Sequence, residues 1–369
     1  MKKMNTIKLI ASTLAAIAAP AGQAGSPTIL SFSGSDGQYP TASALLSFGS
    51  SEILGVTLEG GEYGFGTIFV VNQDGTDPQV FCNFSGTDGE SPESPVIATD
   101  GSTFWAGTTR FGGSSSCGTV FALEHSPKGP DYWLVPVHSF SGPDGYYPES
   151  GVVYSGRTLY GTTVQGGTYG YGTVFSVSIY GTNFTTLHNF VGTDGSSPLG
   201  LTLSGSTLYG TADGVLFQIN VNGTGFSVLN SNVPPIVPAL TISGSELYGA
   251  SKSGGTSGDG CVFSVSTTGT GLTTLHNFSG NDGSYPVTVL FLSGSSLYGT
   301  TAEGGSSGLG TVFSINTDGS GFTTLYNFTG TGIDGAEPSG GLFINTNTLF
   351  GTTGGGGSSG YGTVFALGL

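Results

Sequence analysis

A short motif, Leu-Tyr-Gly-Thr-Thr or a near variant, recurs along the whole chain and places glycines at Gly55, Gly107, Gly161, Gly210, Gly249, Gly299 and Gly351. A second marker, Gly-Thr-Val-Phe or a variant, follows in every unit and ends on Phe69, Phe121, Phe175, Phe217, Phe263, Phe313 and Phe365. A chain of 369 residues would ordinarily suggest two or three domains. One repeat running its full length points instead to a single array of seven units.

Within the unit Val287 to Phe328, four runs rich in β-branched and aromatic residues are separated by Gly, Ser, Asn and Asp clusters. They read as strands A (Thr288 to Ser293), B (Ser296 to Thr301), C (Gly310 to Asn316) and D (Gly321 to Phe328). Asp318-Gly319 supplies residues that accept the positive φ of a tight hairpin. A four-stranded sheet of this size cannot bury both faces alone, so neighbouring repeats must stack, and radial closure is the usual solution. Thr28 to Phe32 reads as a lone strand D, and Gly362 to Leu367 as a strand C lacking its D. The expected fold is therefore all-β: a seven-bladed β-propeller of four-stranded antiparallel blades, closed by residues 28–32 completing the C-terminal blade. An open solenoid would leave both edge strands unpaired.

Charged residues make up 8% of the chain, while 24 Phe and 16 Tyr give it material for a core. Lys2, Lys3 and Lys8 precede an apolar stretch from Leu9 to Ala19 and small residues at Ala19, Ala21 and Ala24. This reads as a secretory signal peptide over 1–24, leaving one propeller domain over 25–369. The apolar run is too short for an anchor and no second one follows, so a soluble exported protein without membrane insertion is expected. Loss of the leader leaves four basic residues against 23 acidic ones. Nucleic acid and anionic membranes are poor partners for such a charge. Cys82, Cys117 and Cys261 are odd in number and imply no disulfide framework, so buried free thiols in a monomer are expected.

Leu-Tyr-Gly-Thr-Thr followed by Gly-Gly, Gly-Thr-Val-Phe-Ser and Leu-His-Asn-Phe with Asp-Gly resembles the GloVer tandem repeat of exported bacterial proteins, over essentially all of the mature chain. The resemblance implies a secreted repeat protein and transfers no catalytic residue or cofactor. The chain ends at Leu369 on a strand, which favours free secretion over a surface anchor.

Several motifs have structural readings that outweigh chemical ones. Asp-Gly recurs between strand D and the next strand A, at Asp36, Asp88, Asp144, Asp194, Asp282 and Asp334. Carboxylates bonding their own turn amides explain this better than a calcium site, which needs six to eight converging oxygens. His138, His188 and His276 open equivalent strand D segments and so cannot converge on one metal; packing or an outer-edge hydrogen bond is expected, and no metal site. Gly-Gly-Ser-Ser-Gly at 304–308 and 356–360 matches the serine-hydrolase pattern, and Gly355, Gly357 and Gly360 a dinucleotide one. Neither is followed by the required helix, so no catalytic serine and no cofactor are assigned.

The repeat breaks in blade 4. Its B–C loop shrinks to Ala212-Asp213-Gly214, and the next junction reads Asn232-Val233-Pro234-Pro235 in place of Asp-Gly. Both changes fall on one face and predict a notch between blades 4 and 5. Loop aromatics at Tyr63, Phe65, Phe111, Tyr169, Tyr171 and Tyr361, with acids including Asp259, suit a polyhydroxylated ligand there. Arg110 and Lys252 bring positive charge to otherwise variable loop positions and could meet an acidic sugar. Tyr39, Tyr147 and Tyr285 precede prolines and are expected to pack on them. The candidate ligand set is thus Asp213, Asp259, Lys252, Tyr169, Tyr171, Arg110 and Phe111.

The leading functional expectation is a non-catalytic binding protein for a polysaccharide or cell-surface component. Two alternatives stand beside it: a glycan hydrolase or lyase using Asp213 and Asp259, and a structural or adhesive surface protein. In blade 2, Trp105 and an extended C–D hairpin from Glu124 through Lys128 and Asp131 to Trp133 read as a protein contact or simple drift.

Overall fold

A computed structural model describes residues 26–48, 51–93, 97–98, 104–125, 132–235 and 237–369. The leader expected over 1–24, and Lys128 and Asp131 of the blade 2 hairpin, lie outside these residues. Seven antiparallel sheets follow one another along the chain. The first shows the plan: Gln38–Phe48, Glu52–Glu59, Thr67–Asn72 and Gln79–Asn83 pair in sequence order as strands A to D, from the axis outwards. In the last blade, Gly335–Pro338, Thr348–Gly356 and Thr363–Gly368 are completed by Thr28–Ser31, with Thr28 opposite Phe365 and Ser31 opposite Thr363. The ring is closed by the chain's first strand, as the unpaired ends of the sequence require.

Strand A differs from its expected form. In blade 6 it is split into Ser284–Pro286 and Phe291–Ser293, both paired to Ser296–Glu303. Pro286 has no N–H to give the ladder, and the register changes between the two pieces. The same split separates Gly335–Pro338 from Phe343–Asn345 in blade 7. The C-strand boundaries hold to within a residue, with Thr311–Asn316 where Gly310 to Asn316 is expected; strand D covers Thr323–Asn327.

The core lies between blades. In six of the seven units the phenylalanine ending the Gly-Thr-Val-Phe marker meets, edge to face, a phenylalanine from the strand D end of the preceding blade, as with Phe32 on Phe69 at 5.0 Å, Phe84 on Phe121 at 5.1 Å and Phe278 on Phe313 at 5.2 Å between ring centres. Such pairs contribute about 0.5–1.5 kcal/mol each beyond area burial. The Leu-Tyr-Gly glycine makes room for this stack. A Cβ on Gly299 would stand 2.5 Å from the Phe313 ring tip and 2.9 Å from Leu290. Between blades 4 and 5 the stack is interrupted: Phe263 packs with Leu216, Val233 and Val237 instead. All three cysteines are free and buried, and burial pushes the Cys82 thiol up to about 12 and the Cys261 thiol to about 11.

Candidate functional site

At the D–A junctions the aspartate closes its own turn by accepting the amide three residues before it. Asp88 Oδ1 accepts the Ser85 N–H at 2.8 Å, and Asp144, Asp194 and Asp282 accept the equivalent amides at 2.8–2.9 Å. The other oxygen of the last three takes the histidine of the same blade, with His138, His188 and His276 Nε2 at 2.9, 3.0 and 2.9 Å. Each imidazole also lies flat on a phenylalanine of the next blade: His138 on Phe184 at 3.8 Å, His188 on Phe226 and His276 on Phe322 at 3.6 Å. These groups are engaged in joining blade to blade. Burial holds His138 and His188 below the usual imidazole range despite the neighbouring carboxylate.

Past six of the seven junctions the chain enters strand A through a residue in the left-handed region followed by proline. Tyr39, Ser91, Tyr147, Ser197, Tyr285 and Glu337 have φ of 53, 53, 58, 48, 55 and 55°. Their N–H groups donate to a carbonyl of the preceding blade's B–C loop, as Tyr39 to Tyr361 at 3.0 Å, Tyr147 to Cys117 at 3.1 Å and Tyr285 to Asp259 at 2.9 Å. The following proline closes on a loop glycine of that blade. A Cβ on Gly362 would stand 2.5 Å from Pro40 Cδ, and one on Gly260 2.5 Å from Pro286 Cδ. The tyrosines are thus held by their backbones. Tyr147 does not simply rest on its own proline: it meets Phe111 edge to face at 5.0 Å and accepts the Tyr146 hydroxyl at 2.8 Å.

These strand starts and the ends of strand B surround a cavity of about 730 Å³ on the ring axis, to which all seven blades contribute. Its charged groups are Glu93, Arg110, Glu149, Lys252 and Glu337, and Tyr39, Thr41, Ser150, Thr202 and Ser339 add hydroxyls. Arg110 bridges two of the acids, Nη2 to Glu149 at 3.0 Å and Nη1 to Glu93 at 3.8 Å. Its guanidinium carbon lies 5.2 Å from the Phe111 ring centre and 5.6 Å from that of Tyr147, a cation–π arrangement on two rings. Burial, reinforced by the charge of Glu149, pushes the Glu93 carboxyl up to about 7, against the opposing pull of Arg110 and Lys252.

The structure divides the sequence-derived candidates. Arg110 and Lys252 line the cavity and Phe111 supports Arg110 from below. Tyr169 and Tyr171 stand exposed, at 59% and 46%, on the B–C loop of blade 3. One face of the Tyr171 ring is covered by Gly192, where a Cβ would come within 3.1 Å. Asp213 is exposed at φ 44° in the two-residue turn between Ala212 and Val215. Asp259 turns towards Gly280 of the following junction. These four sit on the loops, outside the cavity lining.

Glu93, Glu149 and Glu337 were not anticipated. The signal for Glu93 and Glu149 was a register: the residue after each left-handed X-Pro pair reads Thr41, Glu93, Glu149, Leu199, Val287 and Ser339, and all six line the cavity, while Glu337 stands at the left-handed position itself. The residue after Gly-Thr-Thr reads Leu58, Arg110, Val164, Asp213, Lys252, Ala302 and Gly354. Both positions vary freely inside an otherwise constant frame.

Among solved structures, the extracellular domain of a protein named as a one-component system from B. thetaiotaomicron is similar, with a TM-score of 0.60 at 10% identity. The match covers 90% of this chain and 38% of that one. A Bacteroides fragilis protein named as a 6-phosphogluconolactonase has a TM-score of 0.54 at 14% identity, covering 83% of this chain and 89% of that one. Likeness at this identity concerns the fold. No curated protein matches the sequence. The family model described as the Gloeobacter/Verrucomicrobia repeat matches twice, over residues 17–224 and 211–369, and the chain belongs to that repeat family.

Proposed function

We propose that this propeller is an extracellular, non-catalytic binding protein that takes a saccharide into its axial cavity. The observation that carries the reading is the lining. A cavity within the roughly 300–1,000 Å³ range of small-molecule sites presents carboxylates, a guanidinium, an ammonium and a phenol on an apolar wall. Hydroxyl-rich ligands hydrogen-bond to such a mixed set, and the two cations could meet an acidic sugar. Tyr169, Tyr171, Asp213 and Asp259 would extend contact over the loops for a longer chain. The acidic balance speaks against nucleic acid and anionic membrane as partners, and a monomer suffices because one ring holds the whole cavity. The extracellular setting has support in the leader-like sequence and in the ectodomain of like fold.

The test is the melting temperature against a saccharide panel. A ligand at a hundred times its Kd stabilises the native state by about 2.7 kcal/mol, and Arg110→Ala should abolish the shift. Equal shifts in both proteins would place binding elsewhere. The enzymatic reading has one specific observation in its favour: Glu93, held up to about 7 beside Arg110 and Glu149, could act as acid or base on a glycan. New reducing ends released by wild type and not by Glu93→Gln would favour it over simple binding.

A further inference from the structure

We propose that the six left-handed residues before proline form a specificity collar at the mouth of the axial cavity, selecting the end of the saccharide chain that enters it. The inference rests on the saccharide-binding reading and assigns its selectivity to residues that touch neither one metal nor one catalytic pair. Three observations converge on it.

The first is strain. Tyr39, Ser91, Tyr147, Ser197, Tyr285 and Glu337 all occupy φ of 48–58°, a region that bulky L residues enter at a cost and that glycine enters freely. Elsewhere in the same junctions a positive φ is taken by glycine, as at Gly34 with 98° and Gly37 with 128°. None of the six is glycine. Side chains kept at strained positions mark places where the side chain itself is used.

The second is the division between a fixed backbone and a varied side chain. The amide bond to the preceding blade and the proline against its loop glycine repeat around the ring, whereas the side chains read Tyr, Ser, Tyr, Ser, Tyr, Glu. A constant frame carrying a variable polar group is how a rigid scaffold changes what it recognises.

The third is position. Tyr39 and Glu337 line the cavity directly, and Tyr147 lies over the Arg110 guanidinium. Tyr285 bonds to the loop of blade 5, the blade that carries Lys252, and is 47% exposed. Three phenols, two hydroxyls and one carboxylate offer rings to stack on sugar faces and acceptors for hydroxyl hydrogens. A closed ring admits a ligand along its axis, which means a chain end in place of the middle of a polymer.

The sister blades provide the test, because they already carry serine at this position. Tyr39→Ser and Tyr285→Ser should melt within about 2 °C of wild type. Their Kd for the best saccharide of the panel should rise about tenfold, as loss of a ring contact implies. Ser91→Tyr should reorder the saccharides by affinity. If wild type binds and the variants keep its Kd values and ranking, the collar falls and the cavity reading stands. If wild type binds no saccharide, the cavity reading falls and takes the collar's ligand with it. If the tyrosine variants melt more than about 5 °C lower, the rings hold the fold together and the collar is overturned.

Discussion

Replacing Glu93 by glutamine should change how stability depends on pH. The carboxyl titrates near 7 in the folded chain and near its ordinary 4.5 when unfolded. Below about pH 4.5 both states hold the proton and Glu93 contributes no difference. As pH rises from there to about 7, the unfolded chain releases its proton while the folded one keeps it, so stability falls. Above about 7 the loss is complete, and at 1.36 kcal/mol for each tenfold change in proton affinity it amounts to roughly 3 kcal/mol. Glutamine keeps the shape and never ionises. Arg110 retains Glu149 at 3.0 Å and loses the longer contact at 3.8 Å, so the variant keeps one partner for its guanidinium. Urea midpoints for both proteins at about pH 5 and about pH 8 read the effect. The variant should gain roughly 2.5 kcal/mol on wild type between the two conditions, the rest of the change lying below pH 5. Parallel profiles would refute the reasoning. A variant weaker than wild type at the higher pH would show that Arg110 and Lys252 outweigh burial at this carboxyl.

Three further outcomes follow from the packing. Gly299→Ala drives a methyl to 2.5 Å from Phe313 and 2.9 Å from Leu290, and should cost about 2 kcal/mol in a denaturant titration. Asp282→Ala removes the acceptor of the Ser279 N–H and of the His276 ring at 2.9 Å each, and should cost about 2 kcal/mol, with chelator leaving the wild-type midpoint unchanged. Deleting residues 26–32 strips the partner from Thr363–Gly368 and uncovers Phe69; the midpoint should fall by about 5 °C or more, with multimers appearing on size exclusion.

The architecture was legible because it is written seven times. Markers at fixed places in each unit set the blade number, and the incomplete units at the two ends announced the closing strand. The split of strand A was hidden: the expected strand began at Thr288, after Pro286, whereas the ladder to Ser296–Glu303 takes in Ser284–Pro286 and Phe291–Ser293 and skips the residues between them. The site was half legible. Arg110 and Lys252 stood out as cations in a chain with few of them. Glu93 and Glu149 carried no such mark among 23 acidic residues. What separates them from the histidines is radius. Equivalent residues on strand D of successive blades diverge, so His138, His188 and His276 each pair within their own blade. Equivalent residues at the start of strand A converge on the axis, so Glu93, Glu149 and Ser339 share one cavity. A linear sequence does not distinguish the two cases until strand order is assigned to radius.

Closure between Thr28–Ser31 and Thr363–Gly368 also sets a timetable for synthesis. The first strand to emerge must wait for the last, since its partner lies more than three hundred residues away. Blades between them can form as they appear, but the ring has no seal until Thr363–Gly368 has been made. A prematurely terminated chain would therefore carry two open strand edges and the bare face around Phe32, the features that aggregation and proteolytic surveillance act on. Synthesis of Thr363–Gly368 and closure of the ring are, for this topology, the same event.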